Sequence, residues 1–201
     1  MPMTVSKTRD MLVDEARQLF ARVGVDNTTM NDIALASRKG RRTLYTYFKS
    51  KNDIYLAVVE SELNRLYQML TDVANMDLPA DDKLMTYIYS RLDAIKALVI
   101  RNGSLKASFF RDIGRVERVR RSFDERDVVI IKGILDAGVK EGIFRMPDTE
   151  VTAKVIHYCL KGLEVPYIRG DMGDEIDQRI KRRENVVNII YNGIKVKSKT
   201  K

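Results

Sequence analysis

The stretch Thr29–Lys51, TMNDIALASRKGRRTLYTYFKSK, decides how this chain is read. From Arg38 to Lys51 it carries six cations, Arg38, Lys39, Arg41, Arg42, Lys49 and Lys51, and no acid. Thr28 or Thr29 is placed to N-cap a short helix over 30–37. A second short helix fits 41–48, and Ser50 is placed to cap a longer one. Leu44 and Phe48 stand four apart and face inward. Arg41, Arg42, Thr43, Tyr45 and Tyr47 are left for the outside.

Upstream, Leu12, Ala16, Leu19, Phe20 and Val23 fall on one helical face, and Gly24 is placed to end that helix. Three short helices, the third basic, outline a helix-turn-helix. The third helix must be polar and positive on one side to enter a major groove, and apolar on the other to pack. Arginine can make a bidentate contact with guanine, and a threonine methyl or tyrosine ring can touch a thymine methyl. A tyrosine hydroxyl, Lys51 and Thr29 are suited to phosphate.

Residues 29–51 resemble the signature of the TetR family of transcriptional repressors. Thr29, Ile33-Ala34, Thr43-Leu44-Tyr45, Tyr47-Phe48 and Lys51 stand where that motif has them, and Asp53-Ile54 and Val58 continue it. The resemblance implies phosphate contact by Thr29, Tyr47 and Lys51. It implies base or groove contact by Asn31, Arg41, Arg42, Thr43 and Tyr45. The family usually has a small residue, often Gly, and then an apolar one in the turn between the second and third helices. Here Arg38-Lys39 fills that place, with Gly40 following, so a local difference in the turn is expected.

The whole chain reads as all-α, about nine helices, with no sustained period-2 alternation. A helix-turn-helix domain over 1–50 is expected, then a helical ligand-binding and dimerisation domain over 51–201. The fourth helix carries Ile54, Val58, Leu66, Leu70 and Val73. The next, opened by Asp81, carries Leu84, Ile88, Leu92, Ile95 and Val99. A shorter helix follows over 104–113, then a long one over about 116–139 with Val119, Phe123, Ile130, Ile134 and Ala137 near one face. Glu141 to Phe144 reads as a turn. Two more helices follow, over about 148–165 and 174–195. These last two are apolar on more than one side, so each needs more than one buried neighbour.

The resemblance makes that pair the interface of a homodimer, and Val155, Cys159, Leu163, Val186, Val187, Ile190 and Ile194 are the interface candidates. It also implies a ligand cavity. Tyr67, Leu70, Tyr87, Ile88, Phe109, Phe110, Phe123, Ile130, Ile134 and His157 are its candidates, although such residues more often form plain core. Their character points to an apolar or amphipathic small molecule as effector. The expected partners are a palindromic double-stranded DNA operator, a second copy of the chain and that effector, with no membrane.

Composition narrows the alternatives. The 201 residues, 44% apolar and 32% charged, suit a soluble protein with a real core, and the net charge of +8 permits an anionic partner. No apolar run approaches the roughly 18–20 residues that span a bilayer. The N-terminus has no signal-peptide pattern. A lone cysteine, Cys159, excludes an internal disulfide and fits a reducing cytosol.

His157 and Cys159 lie two apart and diverge on a helix, so they share no metal. The acids Asp171, Asp174, Glu175 and Asp177 lack a calcium-loop pattern. The basic run over 195–201 reads as a solvated terminus. No Walker loop, dinucleotide fingerprint, zinc motif or nucleophile elbow is present. Neither catalysis nor a cofactor or metal is expected. A helical ligand carrier or scaffold without DNA binding explains 75–201 equally well, but leaves the cation run unexplained.

Overall fold

The computed structural model describes residues 3–101, 113–169 and 194. Those residues form seven α-helices and no strands: α1 (Met3–Val23), α2 (Met30–Ala36), α3 (Arg41–Tyr47), α4 (Lys51–Ala74), α5 (Ala80–Arg101), α6 (Ile113–Lys140) and α7 (Thr149–Arg169). The helices expected over 104–113 and 174–195, and the basic run over 195–201, lie outside the described residues except at Ile113 and Ile194. No described helix is long and apolar enough to cross a membrane.

The chain divides into two compact units. One holds residues up to Arg65 together with Ala97–Ser122, and the other holds Leu66–Lys96 and residues from Phe123 onward.

In the first unit α1 packs on α2 and α2 on α3. Leu12, Ala16 and Phe20 of α1, Ile33 of α2, Leu44 of α3 and Ile54 of α4 share one buried cluster. Apolar spacing of three and four residues puts each on its helix's inner face. Val23, expected on the inner face of α1, is instead 42% exposed, because the helix stops there and Gly24 turns the chain away.

Charge also ties α1 to α4. Asp14 and Arg17 on α1 meet Glu62 and Arg65 on α4 in a closed ring of four ion pairs, 2.8 to 3.5 Å long. Glu62 is buried, so its pairing with arginine is what permits it there.

The second unit has an apolar core through which one polar network runs. Leu70 of α4, Leu84 and Ile88 of α5, Ile131 and Leu135 of α6 and Leu160 of α7 are fully buried. The inner stripe of α6 is not the one expected. Ile130 is half-buried, and the stripe passes from Phe123 through Asp127 to Ile131, Ile134 and Leu135. It can include Asp127 because that carboxylate has buried partners, described below. Helix α7 runs on past its expected end near Val165, through Pro166, to Arg169.

The end of α6 shows why its turn needs glycine. Gly142 has φ of 73°, in the left-handed region. Its N–H bonds Val139 O at 3.1 Å and the Ile143 N–H bonds Gly138 O at 2.9 Å, a Schellman closure. The turn folds the buried Phe144 back over Gly138, so a Cβ on Gly138 would lie inside van der Waals contact with the Phe144 ring and 3.0 Å from Ala80 Cβ. Gly138→Ala is therefore expected to destabilise the protein by about 1–3 kcal/mol through overpacking. Urea unfolding monitored by circular dichroism measures it, and an unchanged midpoint would mean that the ring moves aside freely.

Candidate nucleic-acid interface and buried polar network

Helix α2 begins with a capping box. Thr29 Oγ1 accepts from the Asp32 N–H at 3.2 Å, while the Thr29 N–H donates to Asp32 Oδ2 at 2.8 Å. Thr29 Oγ1–H also donates to Asp32 Oδ2, at 2.7 Å. The side-chain bond from Thr29, then its backbone bond, hold the Asp32 carboxyl below its ordinary range. Thr29 and Asn31 are exposed at this end of α2.

The turn after α2 passes through Arg38, the only non-glycine residue with positive φ among those described, at 51°. The Arg38 N–H bonds Leu35 O and the Lys39 N–H bonds Ala34 O, each at 3.1 Å. This is a second Schellman closure, with arginine where glycine is the usual occupant. A left-handed conformation costs a side-chain-bearing residue about 1–2 kcal/mol, and glycine's extra unfolded-state freedom cancels about 0.5–1 kcal/mol of any relief. Arg38→Gly is thus expected to raise stability by up to about 1 kcal/mol in thermal unfolding. It also removes an exposed cation beside α3, so DNA affinity should fall. A variant that gained stability with unchanged DNA affinity would show that Arg38 touches no phosphate.

Helix α3 turns Leu44 inward and Arg41, Arg42 and Tyr45 outward as expected, but Thr43 and Tyr47 are turned only partly outward. Leu44 and the residue that ends the helix, Phe48, are buried. Arg41, Arg42, Tyr45 and Thr46 are exposed, Thr43 is half-buried, and Tyr47 is half-buried against the apolar cluster. The Arg41 guanidinium stands 5.6 Å from the centre of the Tyr45 ring, so the two side chains form one exposed cationic surface. Lys51 is half-buried, and its Nζ donates to Val25 O at 2.7 Å and Asp26 O at 3.2 Å. The lysine thus closes the loop between α1 and α2 with two of its three donors.

In the second unit, Leu70, Tyr87, Ile88, Phe123, Ile134 and His157 are buried, and Tyr67 and Ile130 are half-buried. Phe109 and Phe110 lie outside the described residues. The Arg126 guanidinium covers the Tyr67 ring at 4.3 Å.

What composition did not reveal is the network joining Tyr87, Arg91, Asp127, His157 and Glu164. Asp127 accepts from the Tyr87 hydroxyl, from Arg91 Nε at 3.2 Å and from His157 Nδ1 at 2.6 Å. Arg91 Nη2 reaches Glu164 Oε1 at 2.9 Å. Burial alone pushes the Asp127 carboxyl up, but the Arg91 charge and the bonds from His157 and Tyr87 outweigh it and hold it below the ordinary carboxylate range. Burial, then the Asp127 charge, pushes the Tyr87 hydroxyl well above its ordinary value.

A signal for the network stood in the sequence. Arg91 lies three and four residues after Ile88 and Tyr87, Asp127 four after Phe123, and Glu164 four after Leu160, each a charge inside an apolar stripe.

On α7 the exposed residues Val151, Val155, Tyr158 and Cys159 form one stripe, with Tyr158 at 66% exposure. Leu163 and Ile194 are half-buried, and Val186, Val187 and Ile190 lie outside the described residues. Val151, four residues before Val155, and Tyr158, three after it, lie on the same stripe.

Residues 12–58 match the family model for bacterial regulatory proteins of the tetR family. The repressor KstR2 of Rhodococcus jostii is 29% identical over 145 residues, which is 70% of this chain and 69% of that protein. A transcriptional regulator from Cytophaga hutchinsonii shares the fold with a TM-score of 0.78 at 24% identity, over 93% of this chain and 98% of that one. A putative transcriptional regulator from Saccharomonospora viridis, solved in complex with choline, has a TM-score of 0.73 at 20% identity, over 96% of this chain and all of that one. With a helix-turn-helix whose basic third helix faces outward, residues 12–58 form a DNA-binding domain of the tetR type, and the protein is a DNA-binding transcriptional regulator.

Proposed function

We propose that the protein is a homodimeric repressor, released from a palindromic operator by a small, largely apolar or amphipathic effector. The observation that carries this reading is the exposure of Arg41, Arg42 and Tyr45 on α3 while Leu44 and Phe48 hold it from behind. Residues 1–50 read the operator, and 51–201 dimerise and bind the effector in the cytosol. Arg41 and Arg42 contact guanines, Thr43 and Tyr45 contact thymine methyls or the groove wall, and Asn31 adds a contact from α2. Thr29, Tyr47 and Lys51 hold phosphates, Lys51 with the donor it does not spend on carbonyls. Repression is supported by KstR2, which is named a repressor, and a small-molecule effector by the choline complex.

Fluorescence anisotropy on a duplex from the chain's own upstream region tests DNA binding. Affinity is expected to fall by about 10³-fold or more between 50 and 200 mM salt, as several phosphates per copy release counterions. Salt-insensitive binding, or none, would favour a scaffold.

The dimer has its own test. Val155, exposed on α7 together with Cys159, is proposed to meet a second copy. Val155→Asp places like charges across a twofold interface. It is expected to yield monomers by light scattering and to weaken operator binding by about 100-fold, since one reading head is lost. A Val155→Asp protein that remained dimeric would remove α7 from the interface.

A further inference from the structure

Arg91 of α5 is wholly buried. Two of its nitrogens are occupied, Nε by Asp127 at 3.2 Å and Nη2 by Glu164 at 2.9 Å. Nη1 has no hydrogen-bond partner among the described residues. A buried donor without an acceptor is costly, most of all on a charged group, and such a group calls for an explanation.

We infer that the Nη1 edge of Arg91 anchors the effector, and that it takes a neutral carbonyl or hydroxyl oxygen on a mainly apolar molecule rather than a carboxylate, a phosphate or an ammonium. This inference rests on the effector-released reading above. Charge decides the sign. Arg91 already lies between two carboxylates, so the trio with Asp127 and Glu164 carries a net charge of −1. Asp127 is ionised and saturated, accepting from Tyr87, Arg91 and His157. The next carboxylate outward, Asp124, meets Lys161 Nζ at 2.7 Å and His157 Nε2 at 3.7 Å.

An anionic head on Nη1 would bring a third negative charge to the same guanidinium, where burial strengthens repulsion. A cationic head has no lone pair to accept from Nη1 and would set its charge directly against that of the guanidinium. A neutral oxygen accepts from Nη1 and adds no charge. The surroundings ask for an apolar remainder. Ile88 and Ile95 stand one turn to either side of Arg91, Phe123 and Ile131 flank Asp127, and Leu160 precedes Glu164, all of them buried.

Calorimetric titration of the full-length protein with three straight-chain series of four to twelve carbons tests this: methyl ketones, carboxylates and trimethylammonium salts. At least one ketone is expected to bind, about tenfold or more tighter than its carboxylate and ammonium counterparts of equal length. Glu164→Gln keeps an acceptor for Nη2 but removes one negative charge. It should leave ketone affinity nearly unchanged and shrink the ketone-over-carboxylate preference about tenfold. Arg91→Lys keeps the charge without the fork and should lose ketone binding. If that variant does not fold, Glu164→Gln alone carries the test.

The inference is overturned if carboxylates bind as tightly as ketones, if Glu164→Gln leaves the preference intact, or if no series binds while operator binding is normal. Wild-type protein that binds a ketone but no DNA would instead overturn the regulator reading.

Discussion

Replacing Arg41 and Arg42 together by alanine is expected to lower operator affinity by about three orders of magnitude or more while leaving helix content and unfolding temperature unchanged. Each bidentate contact with guanine discriminates by about 1–3 kcal/mol, and every 1.4 kcal/mol is tenfold. Losing two in each half of a dimer is therefore a large effect. Stability should not follow, because both side chains are exposed and the inner side of α3 is held by Leu44 and Phe48. Leu44→Ala would show the converse. It opens a cavity in the cluster that joins α1 to α4 and should cost about 2–5 kcal/mol of stability. Anisotropy titration and thermal unfolding on the same preparations separate the two effects.

The second large effect is expected at Asp127. Asp127→Ala removes the acceptor shared by Tyr87, Arg91 and His157, and leaves the buried Arg91 with Glu164 alone. Breaking one partner of a buried ion pair costs about 3–5 kcal/mol. For a chain of this size that lowers the unfolding temperature by roughly 6–20 °C.

The same carboxylate gives a pH signature. Its folded pKa lies below the unfolded value of about 3.9, so the folded state holds its proton less tightly. Its stabilising contribution is fully present above that unfolded value and is lost as pH falls through the lower folded one. Asp127→Asn should therefore lose stability at neutral pH and show a shallower further loss on acidification below about pH 4. Calorimetry from pH 7 to pH 3 measures both. Parallel acid limbs for the wild type and Asp127→Asn would mean that other carboxylates dominate that loss.

The two halves of the molecule differ in how legible they are. The reading helix could be placed from Arg38–Lys51 because helical period, capping residues and charge agree there. Leu44 and Phe48 could point inward in only one way that left the arginines free. The unusual turn was also visible as Arg38-Lys39 in the place of a small residue, and the backbone meets it with a left-handed arginine. The buried network showed in the sequence only as charges inside apolar stripes, at Arg91, Asp127 and Glu164. Periodicity assigns charges to the outside, and nothing local indicates that Arg91, Asp127 and Glu164, on three helices, will satisfy one another inside. That pairing is a tertiary fact. The same limit explains α6, where skipping Asp127 led to Ile130 in place of Ile131. Lys51 is intermediate. Its charge suggested phosphate, but its reach to Val25 and Asp26 depends on a loop twenty-five residues away.

The central claim is that two copies of α3 read two half-sites on one duplex. Selection of bound sequences from a random pool of duplex DNA by the full-length protein tests it most directly. An inverted repeat should emerge, with half-sites one helical turn or a multiple apart, about 34–36 Å per turn, and with guanine contacts that disappear in the Arg41→Ala/Arg42→Ala protein. Enrichment of no sequence, or of a motif without twofold symmetry that the double variant still selects, would contradict it.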